Sequence, residues 1–284
     1  MKILVLGATG MAGHTIALYF KERGHNVISF SRTPFLFCEN IIGDVFETEK
    51  FKSVLLGGNY DVVINCIGIL NQDAENNPTK AVYINSYLPH LIVDTLKRTK
   101  TKLVHMSTDC VFAGNTGPYL EDSLCDGRTF YDRTKALGEV NDDKNLTFRN
   151  SIIGPDMHPG GIGLFNWFMK QKGEINGFTG AIWTGVTTLT LAKAMEVAID
   201  QDLCGLYNLV NNNCISKYDL LNLFNEYFAR ENLIINKEVN FKLDKTLINT
   251  RKDFSFEVPS YKKMILEMKE WIINHSVIYN HYLT

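Results

Sequence analysis

The sequence predicts an α/β fold, a doubly wound parallel sheet with a smaller C-terminal lobe, and three observations carry the prediction. Short, uniformly apolar runs alternate with helical patterns through the first 150 residues. Strands apolar on both faces belong in a parallel sheet covered by helices on each side. Glycines crowd the junction between the first run and the first helix. After residue 154 the alternation gives way to loops and amphipathic helices.

The elements follow in order. "KILVL" reads as a buried strand, and "MAGHTIALYFKERG" as a helix stopped at Gly24, a residue suited to a C-cap. "NVISF" and the short "ENIIGD" are the second and third strands, and "ETEKFKSVLLGG" is a helix closed by glycines. "DVVINCIG" is the fourth strand. "AVYINSYLPHLIVDTLKRTK" is a long helix in which Pro89 implies a kink, and "KLVHMS" is the fifth strand. Beyond "LTFRNSIIG" (146–154), "DMHPGGIG" is loop-like and "LFNWFMKQKG" is a short aromatic helix. "TLAKAMEVAID", "KYDLLNLFNEYFARE" and "YKKMILEMKEWII" are amphipathic helices, and "EVNFKL" is a polar strand candidate. The expected organisation is a Rossmann-type unit over 1–154. Residues 155–284 then form mostly a substrate lobe, with some chain returning to the sheet, and a cleft opens between the two.

Composition narrows the function. The 284 residues are 45% hydrophobic and 21% charged with a formal net charge of −2, an ordinary globular profile. No run of lysine and arginine favours nucleic acid or an anionic membrane. No apolar stretch reaches the length of a membrane span, and the first is too short for a signal segment. The six cysteines are scattered, with no C-x-x-C spacing to hold zinc, and read as reduced thiols of a cytoplasmic protein.

"LVLGATGMAGHTI" sets Gly7, Gly10 and Gly13 between a strand and a helix. One glycine permits the tight turn, one lets backbone N–H groups approach a pyrophosphate, and one allows close helix–sheet packing. A glycine trio alone can be no more than a turn; its position here argues for a dinucleotide. The second strand ends in "SFSRT", where Ser31 and Arg32 replace the acid that would hold a ribose 2′-hydroxyl. Arg suits a 2′-phosphate, so NADPH is expected over NADH, the alternative being an exposed loop arginine.

The fifth strand runs into "HMSTDCVFAG", which puts Ser107, Thr108 and Asp109 at the carboxyl end of the sheet, and "TFYDRTKALGE" follows. Tyr131 and Lys135, four residues apart, lie one helical turn from each other, a spacing that chance also produces. A carbonyl reductase needs a proton donor at the substrate oxygen. Free tyrosine titrates near about 10, and a neighbouring cation lowers that value. Lys135 is expected to do so while reaching the nicotinamide ribose, with Thr108 holding the carbonyl oxygen.

These motifs together resemble the extended short-chain dehydrogenase/reductase superfamily, with its Ser/Thr plus Y-x-x-x-K signature. Within it, "STDCVFAGNTGPYLEDS" and "YDRTKALGE" resemble the dTDP-4-dehydrorhamnose reductase family. The resemblance covers the whole chain. It implies NADPH-dependent reduction of a 4-keto group on a nucleotide-linked 6-deoxy sugar for surface polysaccharide, with Thr108, Tyr131 and Lys135 catalytic. It also implies cofactor contacts from Gly7, Thr9, Gly10, Met11 and Gly13, from Ser31 and Arg32, and from Asp44 and Val45. Cys66, Ile67 and Gly68, Asn85, Ser107, Tyr131 and Lys135 complete that set. Substrate contacts are implied for Thr108, Asp109, Cys110, Arg149, Asn150 and Trp183.

Three departures bear on the sugar. Cys110 stands where the family has tyrosine, Asp132 where it has glycine, and "NTRKDFSFEVPSY" (249–261) occupies the place of its R-P-x-x-S-x-L element. Reductases of UDP-linked N-acetylated 4-keto-6-deoxy sugars are therefore an alternative. Sugar-nucleotide dehydratases carry Asp-Glu after the threonine; Asp109-Cys110 lacks the second carboxylate, which argues against dehydration. An epimerase, or a non-catalytic NADP-binding regulatory subunit, also stays open, although such subunits often lose the Tyr or Lys. Arg149 serves equally well as a structural ion-pair former, and Trp183 either stacks on a sugar or fills the lobe interface. His14, His25, His90 and His105 read as structural, and His158 as a candidate phosphate contact. No metal is expected, and a homodimer is the base-rate oligomer.

Overall fold

The computed structural model describes residues 1–228 and 233–283. Seven strands build the central sheet: β1 (Lys2–Leu6), β2 (Asn26–Ser31), β3 (Glu39–Ile42), β4 (Val62–Asn65), β5 (Lys102–Met106), β6 (Leu146–Arg149) and β10 (Gly205–Asn208). They lie in the order β10-β6-β5-β4-β1-β2-β3, and every pairing among them is parallel. Adjacent side chains of a strand face opposite sides. Ile3 and Val5 thus enter one core with Ile16, Phe20 and Phe148, and Leu4 and Leu6 enter another with Phe30, Leu88 and Ile92. This is why the strands are apolar throughout. The strand order reverses between β1 and β4, and the loops at their carboxyl ends part there to open a cleft.

The helices agree with the sequence periodicity where the pattern is long. They include α1 (Met11–Glu22), α2 (Thr48–Gly57) and α6 (Phe130–Leu137). Gly24 follows α1 with φ +82° and donates its N–H to the Lys21 carbonyl, the geometry of a glycine C-cap. The expected kinked helix around Pro89 is three pieces. A turn, α4 (Pro78–Ala81), passes into a π-helical segment (Val82–Tyr87) and then α5 (Leu88–Leu96), whose first turn takes the proline. A short α3 (Asn71–Asn76) was not anticipated; only Ala74 of it is buried, so it carries no apolar period.

After residue 154 come β7 (Ser151–Ile153), which pairs with β9 (Gly185–Thr187), and a three-stranded sheet. That sheet, ordered β11-β8-β12, uses β8 (Glu174–Trp183), β11 (Ile215–Ser216) and β12 (Ile234–Asp244). Strand β8 is not among the elements expected from the sequence, and it contains Gly177 and Gly180. A Cβ on them would meet the Tyr218 backbone at 2.9 Å and the Phe241 carbonyl at 2.6 Å, so the glycines admit close neighbours. The remaining helices are α7 (Leu164–Met169), α8 (Thr188–Asp200), α9 (Lys217–Phe228), α10 (Tyr261–Asn274) and α11 (Ser276–Tyr279). The last residues of the expected helix over 217–231 lie outside the described residues. Strand β10 rejoins the central sheet, and α8 packs on α1. Among the described residues no helix is long and apolar enough to cross a membrane.

Candidate active site

The glycine turn closes as its spacing predicts. Gly7 has φ +79° and donates to the Phe30 carbonyl, while Gly10 N–H returns to the Gly7 carbonyl at 3.0 Å. A Cβ on Gly13 would sit 2.2 Å from the Gly7 carbonyl oxygen, so only glycine lets α1 start this close to β1. The turn is braced from behind. His14 bonds the Gly10 carbonyl through Nδ1 (2.9 Å) and the Tyr279 hydroxyl through Nε2 (2.7 Å). Burial lowers the His14 pKa to about 4.

A cleft runs from this turn across the carboxyl ends of β1, β2 and β4. Gly7, Thr9, Gly10, Ser31, Arg32, Asp44, Val45, Cys66, Ile67 and Gly68 line it. Phe46 and Lys80, absent from the sequence expectation, line it too. Phe46 belongs here because its ring stacks on Tyr83 at 4.6 Å, a contact only the tertiary fold creates. Met11 and Gly13 are not in the lining. The Met11 sulfur lies 3.8 Å from the Asn166 amide, toward the second half of the chain. Arg32 is exposed and makes no hydrogen bond or ion pair with the described residues. An unspent cation at one end and a side-chain-free turn at the other fit a dinucleotide with an extra phosphate.

Asn85 is buried and fully engaged within the chain. Its amide is consumed by the Ile69 N–H and carbonyl (2.9 Å each) and by Thr134 Oγ1 at 3.2 Å. It therefore ties the loop after β4 to α6. Ser107 likewise donates its hydroxyl to Glu139 at 2.6 Å.

Thr108, Tyr131 and Lys135 are buried together at the end of β5. Lys135 Nζ donates to the Met106 carbonyl at 2.7 Å, which anchors α6 to that strand. Burial lowers the Lys135 pKa to about 8. Burial also pushes the Tyr131 hydroxyl well above an ordinary phenol, and the neighbouring Cys110 adds to the rise. Burial thus acts against the acidifying effect expected of Lys135. Desolvation dominates, and the group that eases it is the Thr108 hydroxyl. Tyr131 remains a protonated donor at neutral pH.

The other expected substrate residues divide. Asp109 is buried beside Thr108, whose hydroxyl donates to it at 3.2 Å, and burial raises its pKa. Cys110 faces the same space, its thiol pushed up to about 12 by burial. Arg149 is withdrawn: Nε and Nη2 bind the two Glu139 carboxylate oxygens at 2.8 and 2.7 Å, and its guanidinium lies 4.9 Å from the Phe112 ring centroid. Of its two readings, the structural ion pair is the one present. Trp183 is buried against Tyr261, with their ring centroids 5.6 Å apart. Asn150 is buried with neither amide atom partnered.

The histidines expected to be structural have intramolecular partners: His25 the Glu196 carboxylate, His90 the Leu137 carbonyl and His105 the Asn65 amide. His158 donates its backbone N–H to Asp156.

A family model described as the RmlD substrate binding domain matches residues 1–240. The chain belongs to the RmlD substrate-binding-domain family. Its relatives include the probable low-salt glycan biosynthesis reductase Agl14 of Haloferax volcanii, 25% identical over 268 residues, 89% of this chain and 88% of that protein. The dTDP-4-dehydrorhamnose reductase of Escherichia coli is 29% identical over 231 residues, 77% of this chain and 75% of that protein. Among solved structures, a Bacillus anthracis dTDP-4-dehydrorhamnose reductase in complex with NADP superposes with a TM-score of 0.79. It covers 94% of this chain and 98% of that one at 18% identity.

The expected reductase-like family and the Rossmann-type parallel sheet are therefore both borne out. Against the RmlD pattern, the Asp132 departure has a local cause. Its carboxylate accepts the backbone N–H groups of Arg128 and Thr129, each at 3.1 Å, at the start of α6.

Proposed function

We propose that the chain is an NADPH-dependent reductase of the 4-keto group of a nucleotide-linked 6-deoxy sugar, serving the synthesis of a surface polysaccharide. The observation that carries this reading is the burial of Tyr131, Thr108 and Lys135 side by side at the carboxyl end of β5. Bound in the glycine-lined cleft, NADPH supplies the hydride for the carbonyl carbon. The chain does the rest. Tyr131, kept protonated by burial, donates its proton to the carbonyl oxygen as negative charge develops there. Thr108 offers a hydroxyl beside Tyr131 and orients that oxygen. Lys135, fixed by the Met106 carbonyl, holds the ribose and a positive charge near the reaction. Arg32 takes the 2′-phosphate.

Retention of both Tyr131 and Lys135 supports an enzyme over a regulatory subunit. The deciding assay is NADPH absorbance loss with a dTDP-linked and a UDP-linked N-acetylated 4-keto-6-deoxy sugar. Stoichiometric loss with one of them is expected. Conversion without net NADPH consumption would mean an epimerase, and no conversion with either would remove the reductase reading.

A further inference from the structure

Lys217 opens α9 immediately after β11. Because β11 pairs Ile215 with Trp183 and Ser216 with Ile182, the start of α9 is held beside the end of β8. Lys217 Nζ lies 5.4 Å from the Trp183 ring centroid, within the range of a cation–π contact. The same ammonium is within electrostatic reach of Asp109 and Cys110, the two residues that follow Thr108. Burial lowers its pKa while those two groups raise it. A chain segment from the second half of the molecule thus brings a cation beside Trp183 and within electrostatic reach of the residues that follow Thr108.

That cation is unspent. The lysine side chain carries three donors and no acceptor, and the Lys217 ammonium makes no hydrogen bond to any described residue. Lys245 also acts on Asp109, so two cations act on one carboxyl group, and the thiol and phenol nearby are neutral. Other unspent polar groups accompany it. Trp183 Nε1 and both amide atoms of Asn150 are buried without partners, and Asn150 adjoins Ser151, which pairs with Gly185 two residues beyond Trp183. Buried donors are normally satisfied, which Trp183 Nε1 and the Asn150 amide are not, and the half-buried Lys217 ammonium beside Trp183 is open to a ligand oxygen.

We propose that Lys217 is a specificity-determining residue: its ammonium, steadied by Trp183 and Asp109, donates to a substituent oxygen of the keto-sugar substrate. The oxygen is a sugar hydroxyl or an acetamido carbonyl, and the two substrates tested tell these apart. The inference rests on the reductase reading and deepens it.

The test compares wild type, Lys217→Met, Lys217→Gln and Lys217→Arg with the dTDP-linked and the UDP-linked N-acetylated 4-keto-6-deoxy sugars. It measures kcat and KM, with NADPH affinity by titration. For the sugar that wild type uses, K217M is expected to raise KM about 10-fold or more, with kcat and NADPH affinity within about 3-fold. K217R is expected to restore most of the loss, and K217Q, the milder change should K217M fail to fold, to raise KM about 3-fold. Unchanged KM in both neutral variants overturns the proposal. So does a parallel loss of kcat and NADPH affinity, which marks a scaffold residue. Wild-type inactivity on both sugars removes the reductase reading and Lys217's role with it, whereas active wild type with unaltered variants removes only the latter.

Discussion

Thr129 and Asp132 close a reciprocal cap on the helix that carries Tyr131. Thr129 Oγ1 accepts the Asp132 backbone N–H at 3.1 Å, and the Asp132 carboxylate accepts the Thr129 N–H at 3.1 Å. The cap fixes the first turn of α6, and Tyr131 is in that turn. Lys135, one turn on, is tied to β5 through the Met106 carbonyl. The proposed proton donor therefore sits between two clamps.

Asp132→Ala leaves the backbone N–H groups of Arg128 and Thr129 without their carboxylate acceptor. A lost cap of this kind costs about 1–2 kcal/mol, or roughly 2–6 °C in Tm for a chain of this size. Thermal denaturation and kcat should fall together, since Tyr131 loses its register. An unchanged Tm in D132A would show that the cap is dispensable.

Tyr131→Phe removes the proton donor and little else, because the ring stays packed. The expected result is a kcat lower by about 100-fold or more, with NADPH affinity by fluorescence titration unchanged. Near-normal turnover would move the acid role to another group.

The pH profile separates Lys135 from Tyr131. Tyr131 stays protonated far above neutrality, so it contributes no limb in the working range. Lys135, lowered to about 8 by burial, loses its charge above that pH. Log kcat/KM should turn down near pH 8, and in Lys135→Arg the residual activity should hold to higher pH, since guanidinium does not deprotonate there. A limb at the same pH in both proteins would assign it elsewhere.

The cofactor preference rests on one exposed side chain. Arg32 lines the cleft and has no ion-pair partner among the described residues. Arg32→Ala should raise KM for NADPH by about 10-fold or more and leave KM for NADH where it was. Equal changes for both cofactors would sink the 2′-phosphate assignment.

What was legible in the sequence was whatever lies close together along the chain. The glycine turn, the strand alternation and the Tyr131–Lys135 spacing are all local patterns, and they set the sheet and the site. The T-x-x-D of the α6 cap was equally local, yet Asp132 appeared only as a departure from a family glycine. Side chains committed by distant partners could not be read. Asn85 is spent on Ile69 and Thr134, and Lys217 comes beside Trp183 only because β11 pairs with β8. Strand β8 was hidden for the same reason, its glycines answering to neighbours remote in sequence.

His14 links the cofactor turn to acid stability. Its ring lies buried between the Gly10 carbonyl and the Tyr279 hydroxyl, with Asp156, His158 and His275 as the charged or titratable groups around it. The unfolded chain takes up a proton at His14 near pH 6.5, but the folded protein resists until about 4. Between those values the unfolded state binds more protons, so stability falls as pH falls. His14 alone accounts for roughly 2 kcal/mol of loss by pH 5, and His105, also lowered by burial, adds a loss of the same sign. Wild-type Tm should therefore drop between pH 7 and pH 5, and the drop should be visibly smaller in His14→Gln. The variant should also bind NADPH more weakly at pH 7, because the Gly10 carbonyl loses its brace. Parallel Tm–pH curves for the two proteins would place the acid sensitivity outside His14.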